Sequence, residues 1–189
     1  MRVIAGTHRG RRLRGPRGTA LRPTSDRVRE ALFSILGNRL PNSRFLDLYA
    51  GTGAIGIEAL SRGAAQVTCI ESSADALNLL HRNVTDCRMT DHMVVHAQTV
   101  QQFLSRPEQW NGPYNIVFAD PPYAAAHELE SDFSNLDESR LFATDSWLVI
   151  EHAGKTTLPS KLGESAFLRR YSYGDTALSI FSFRGTAQP

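Results

Sequence analysis

The chain predicts an α/β fold, a parallel sheet covered by helices, and three observations carry that expectation. Short apolar runs alternate with helical periodicities from Arg44 onward. A glycine turn, Gly51-Thr52-Gly53 with Gly56 three residues on, joins the first run to the first of these helices. Near the C-terminus the pattern changes to two runs around Gly174-Asp175, the signal of an antiparallel hairpin.

In order, residues 1–22 form a basic arm in which Arg2-Val3-Ile4-Ala5-Gly6 and Arg11-Arg12-Leu13 read as two short strands around a polar turn. Pro23-Thr24-Ser25-Asp26 offers a helix start, and Val28, Ala31, Leu32, Ile35 and Leu36 follow at helical spacing. The body, residues 23–189, has strands predicted at 44–48, 66–70, 93–96, 114–119 and 146–152. Helices are predicted at 53–62, 74–87 and 100–105, with one more inside 128–142. The last hairpin spans 167–173 and 177–184.

Composition narrows the function. A chain of 189 residues, 41% hydrophobic and 21% charged, supports its own core, burying roughly 70% of the surface its unfolded form exposes. Cys69 and Cys87 have no CxxC spacing and the six histidines are scattered along the chain, so no metal is expected. No stretch approaches the roughly 18 to 20 apolar residues of a spanning helix, and the start lacks a signal peptide's apolar core. The expectation is a cytoplasmic protein with no membrane partner.

Charge is divided unevenly. Residues 1–30 carry nine arginines against Asp26 and Glu30, a charge of +7, which leaves −5 on the other 159 residues. A basic arm on an acidic body suggests a phosphate-bearing partner, and arginine suits bidentate phosphate contacts. The candidate nucleic-acid contacts are Arg2, His8, Arg9, Arg11, Arg12, Arg14, Arg22 and Arg27.

Two motifs carry chemistry. In the first, a strand ending in Asp47-Leu48-Tyr49-Ala50 turns through Gly51-Thr52-Gly53 into a helix, whose N-terminus presents unpaired amides to a ligand. Glu71, twenty residues after Gly51, stands where a carboxylate can accept both hydroxyls of an adenosine ribose. Asp47 would repel a pyrophosphate but can face the ammonium of S-adenosylmethionine, which favours that cofactor over NAD.

The second motif is Ile116-Val117-Phe118-Ala119-Asp120-Pro121-Pro122-Tyr123, an apolar strand running into two prolines that hold the chain extended at the ligand-binding edge. The Asp120 carboxylate and the Pro121 carbonyl can receive the two hydrogens of an exocyclic amino group, and Tyr123 can stack on the base that carries it. Such an amine is nucleophilic only when its conjugation with the ring is weakened, so catalysis would rest on orientation and electrostatics.

These motifs, with MRVIAGTHRGRRL, LRPTSDRVREALFSIL, ALSRGA and YGDTALSIF, resemble the RsmD family of 16S rRNA guanine-N2 methyltransferases, a class I, Rossmann-like group. The resemblance covers nearly the whole chain and is weakest over 85–112 and 124–165. It implies a sheet of seven strands with an antiparallel last hairpin, and an N-terminal β-hairpin extension that helps to hold RNA. It also implies S-adenosyl-L-methionine as cofactor and one guanine of small-subunit rRNA, of the guanine-966 type, as target, in an assembling or assembled small ribosomal subunit.

Carried over by residue, Asp47, Gly51 and Gly53 match the methionine-side loop, Glu71 the ribose acceptor, and Asp120, Pro121, Pro122 and Tyr123 the catalytic tetrapeptide. The family's adenine-binding Asp or Asn falls on Thr99 here, so Gln98, Thr99 and the Val100 amide are the candidates on that side. The alternatives are adenine-N6 methylation of DNA and a non-catalytic RNA-binding assembly factor. Nothing in the sequence demands an obligate protein partner or more than a monomer.

Overall fold

The computed structural model describes residues 1–15, 26–122, 131–133, 136 and 138–185. Strand β1 (Arg44–Asp47) lies inside the sheet, with β2 (Gln66–Glu71) parallel on one side and β4 (Tyr114–Ala119) parallel on the other. Beyond them, also parallel, lie β3 (Met93–Ala97) and β5 (Phe142–Ala153). The sheet continues antiparallel through β8 (Thr176–Phe183), β7 (Ser165–Tyr173) and the two-residue β6 (Lys161–Leu162), giving the order β3-β2-β1-β4-β5-β8-β7-β6.

The central strands are near-continuous apolar runs because both faces are covered. One face carries helices α1 (Asp26–Leu36), α2 (Ala54–Ser61) and α3 (Ala74–Cys87), whose Leu32, Ile57 and Leu80 pack with Phe45, Val67 and Ile116. The other carries α4 (Val100–Leu104) and α5 (Glu138–Leu141), where Phe103 and Leu141 pack with Leu46, Val117 and Phe142. Caps set the helix ends: the Ser73 hydroxyl accepts the Ala76 amide before α3, and Thr99 and Gln102 form a reciprocal capping box on α4.

The parallel strands, α2, α3 and α4 fall where the sequence predicts them, within a few residues. Three details differ. Among the described residues the sheet has eight strands rather than seven, the extra one being the two-residue β6, too short to show a period of two. Strand β5 begins at Phe142 rather than 146, through an irregularity opposite Tyr114 and Ile116 with Asp145 at φ 58°. Of the helix expected inside 128–142, residues 131–133 and the single turn of α5 are helical; most of 123–137 and the predicted start at 23–25 lie outside the described residues.

Residues 1–13 of the N-terminal arm form a closed hairpin joined by an isolated bridge between Arg2 and Arg12. The Val3 amide donates to the Arg11 carbonyl and the Leu13 amide to the Met1 carbonyl. Val3 and Leu13 are buried in the same core cluster as α1, α2 and α3.

Candidate active site

Because the central strands are parallel, their carboxyl ends share one edge, and the strand order reverses between β1 and β4. Ligands of open α/β sheets bind at such a switch point. Asp47 ends β1, Glu71 ends β2 and Asp120 follows β4, so three carboxylates from adjacent strands gather there.

Asp47 is 1% exposed, and neither of its oxygens has a hydrogen-bond partner among the described residues. Burial, then the charges of Asp120 and Glu71, push its pKa up from 3.8 to about 8. The amides of Gly56 and Tyr49 oppose that shift but stop short of hydrogen-bond geometry. A buried carboxylate without a partner is costly, and a cationic group beside it removes the cost.

The glycine turn is held from several sides. The Gly51 amide donates to Glu71 Oε2 at 2.8 Å, and the Gly53 amide to the Ala50 carbonyl at 2.8 Å. Gly53, at φ 77°, is the N-cap of α2, a left-handed geometry that favours glycine. Oε1 of Glu71 accepts the amides of Ser72 and Ser73 at 2.8 and 2.7 Å, so backbone bonds fix the carboxylate's orientation at the mouth of the site.

A cavity of about 210 Å³ opens between the ends of β2 and β3, lined by Tyr49, Glu71, Gln98, Thr99, Val100 and Asp132 among others. It brings the expected ribose acceptor and all three adenine-side candidates together. The Thr99 side chain is spent on its capping box, and the Gln98 side-chain amide donates to Gln109 Oε1 at 2.8 Å. Asp132 was not predicted; it follows the second motif by nine residues and belongs to neither motif.

Pro121 is buried and Pro122 exposed at the same edge, while Tyr123 lies outside the described residues. Arg2, Arg9, Arg12 and Arg27 are exposed and His8 is half-buried. Arg11 donates to the Asp86 carbonyl at 2.9 Å and Arg14 pairs with the Asp86 carboxylate at 3.1 Å, so these two also fasten the arm to α3; Arg22 is outside the described residues.

The arm's seat is a set of buried polar residues that sequence reading missed. Glu58 on α2 accepts the amides of Ile4 and Ala5 at 2.7 and 2.9 Å and pairs with Arg62 at 2.7 Å. One turn on, the Ser61 hydroxyl donates to the Ala5 carbonyl at 2.6 Å and accepts the His8 amide at 3.0 Å. Arg29, fully buried, donates to the Arg2 carbonyl and to Asp26. Burial lowers its pKa, against the opposing pull of Asp26 and Glu58.

A family model described as Conserved hypothetical protein 95 matches residues 1–182. The chain is 34% identical over 181 residues to the Ribosomal RNA small subunit methyltransferase D of Escherichia coli strain K12, spanning 96% of this chain and 89% of that protein. The solved structure of yhhF from Escherichia coli superposes with a TM-score of 0.83 at 33% identity, covering 98% of this chain and 99% of that one. An RNA methyltransferase from Salinibacter ruber, solved in complex with S-adenosyl-L-homocysteine, shares the fold at 13% identity, with a TM-score of 0.64 over 88% of this chain and 97% of that one. The chain belongs to the family of that model, the RsmD family of methyltransferases.

Proposed function

We propose that this protein methylates small-subunit ribosomal RNA, transferring the methyl group of S-adenosylmethionine to the exocyclic N2 of a guanine of the guanine-966 type. The carrying observation is the juxtaposition, across the β1/β4 switch point, of the Asp47 carboxylate, which has no hydrogen-bond partner among the described residues, with Asp120-Pro121-Pro122. Asp47 suits the cationic methionine end of the cofactor, because an ammonium there relieves both its burial and its repulsion from Asp120 and Glu71. Glu71 suits the ribose hydroxyls, and Gln98, Thr99 and Val100 line the cavity that would take the adenine.

S-adenosylmethionine supplies an electrophilic methyl group. The work of the chain is to hold the acceptor nitrogen in line with it. Asp120 and the Pro121 carbonyl receive the two amino hydrogens, which favours a pyramidal nitrogen, and the prolines keep those acceptors from folding back into the sheet. Tyr123 stacks on the flipped base. The arginines of residues 1–22, with Arg2, Arg9 and Arg12 exposed, bind RNA phosphates, and residues 23–189 are the catalytic domain. The relative named for small-subunit ribosomal RNA methylation supports this choice of substrate.

The test is transfer of a labelled methyl group from S-adenosylmethionine to unmethylated small subunits, naked rRNA and DNA, followed by nucleoside identification. Label in N2-methylguanosine is expected from subunits or rRNA. N6-methyladenine as the sole product, or label confined to DNA, would overturn the reading.

A further inference from the structure

Asn83 on α3 is fully buried and touches two regions that are far apart in sequence. Its Oδ1 accepts the Arg14 amide at 2.7 Å, while Nδ2 donates to the Arg14 carbonyl at 3.0 Å and to the Thr52 carbonyl at 2.9 Å. One side-chain amide thus clamps both backbone groups of an arm residue and, with its second hydrogen, the middle of the glycine turn.

The held carbonyl belongs to the Thr52–Gly53 peptide, whose other end, the Gly53 amide, donates to Ala50. The plane is therefore pinned at both ends. Its orientation is set by ψ of Thr52 and φ of Gly53, and Gly53, at φ 77°, offers little intrinsic resistance to a peptide flip, so the plane depends on those two bonds. The same peptide leads into α2, and α2 carries Glu58 and Ser61, the rest of the arm's seat.

We propose that Asn83 is a positioning residue through which the N-terminal arm becomes part of the cofactor site: seating Arg14 orients the Asn83 amide, and Asn83 fixes the Thr52–Gly53 peptide. The inference rests on assigning the 47–53 turn to the methionine end of S-adenosylmethionine. Asparagine is required because the position must accept one hydrogen bond and donate two from a single planar group. Aspartate would put one acceptor oxygen, in place of Nδ2, against the two carbonyls.

The experiment is an equilibrium titration of the full chain with S-adenosylhomocysteine, without RNA, alongside melting curves. Asn83→Ala and Asn83→Asp are expected to weaken binding by about two- to tenfold, the worth of a lost hydrogen bond. Arg14→Pro removes the arm's amide hydrogen at that point and should weaken binding by at least about twofold. Arg14→Ala, which removes the pair with Asp86 but keeps the backbone, should stay within about twofold of wild type. A purely structural Asn83 would lower Tm and leave affinity unmoved.

If the folded Asn83 variants bind like wild type, or if Arg14→Pro and Arg14→Ala behave alike, the proposal fails. Should the Asn83 variants not fold, the Arg14 pair still decides it. Failure of the wild-type chain itself to bind S-adenosylhomocysteine would overturn the cofactor reading and this proposal together, whereas wild-type binding with insensitive variants overturns this one alone.

Discussion

Asp47 ends β1 and Asp120 follows the neighbouring β4, and the proximity of two carboxyl groups opposes ionisation of the buried one. In the folded ligand-free protein Asp47 holds its proton up to about pH 8, whereas the unfolded chain releases it near the ordinary 3.8. The folded state therefore binds more protons between those values, and stability falls as pH rises through that window. Asp47→Asn removes this contribution and should melt higher than wild type at pH 8. Binding an ammonium requires the carboxylate, so wild-type affinity for S-adenosylmethionine should rise from pH 6 toward pH 8, with a proton released; Asn at 47 should bind more weakly and lose that limb of the profile. Asp120→Asn should lower kcat by about a hundredfold or more while the cofactor Kd changes by less than about threefold, and an equal loss in both would remove Asp120 from the transition state. Asp47, Glu71 and Asp120 were legible in the sequence because each sits at a strand end beside a local signature, the glycines or the prolines. Asn83 and Asp132 carry no such signature.

Among the elements, the arm shows how far local pattern reaches. Its two apolar anchors, Val3 and Leu13, and its turn glycines announce a hairpin, but what seats it does not. Glu58 and Ser61 look like ordinary polar positions on a helix, since their partners lie more than fifty residues away. Arg29 is one of the nine arginines in the charge of residues 1–30 and not one of the candidate RNA contacts, and its burial under the Arg2 carbonyl fits a structural place. Glu58→Gln presents an amide hydrogen to a backbone N–H where the carboxylate accepted one, a mismatch of about 1–3 kcal/mol. It should lower Tm and weaken RNA binding together; an RNA affinity unchanged in a folded variant would separate the seat from RNA binding. Gly6 is part of the same docking: a Cβ there would stand 1.7 Å from the Ser61 carbonyl oxygen. The parallel strands and their helices were readable because burial on two faces imposes long apolar runs, whereas β6 has two residues and the early start of β5 depends on a bulge.

For the molecule as a whole, the uneven charge becomes a division of labour. Arg11 and Arg14 spend part of their capacity on Asp86, while Arg2 and Arg12 stand as an exposed cross-strand pair. Replacing Arg2 and Arg12 by Ala should reduce the slope of log affinity for RNA against log salt by about 0.7 to 0.9 per lost phosphate contact, and by more than the Arg11, Arg14 double replacement does. Equal slopes would mean that the Asp86 contacts are given up on binding. The sheet's topology acts on the same scale but on a different process, the order in which the chain is made. Strand β8 is inserted between β5 and β7, yet it is synthesised after both. Until residues 176–183 emerge, β5 and β7 each present an unsatisfied backbone edge, with Leu148, Val149 and Ile150 on the longer one. The last described strand is thus the keystone of assembly, and a nascent or truncated chain ending at Asp175 should partition into aggregates or onto chaperones while every element of the candidate site is already present in it.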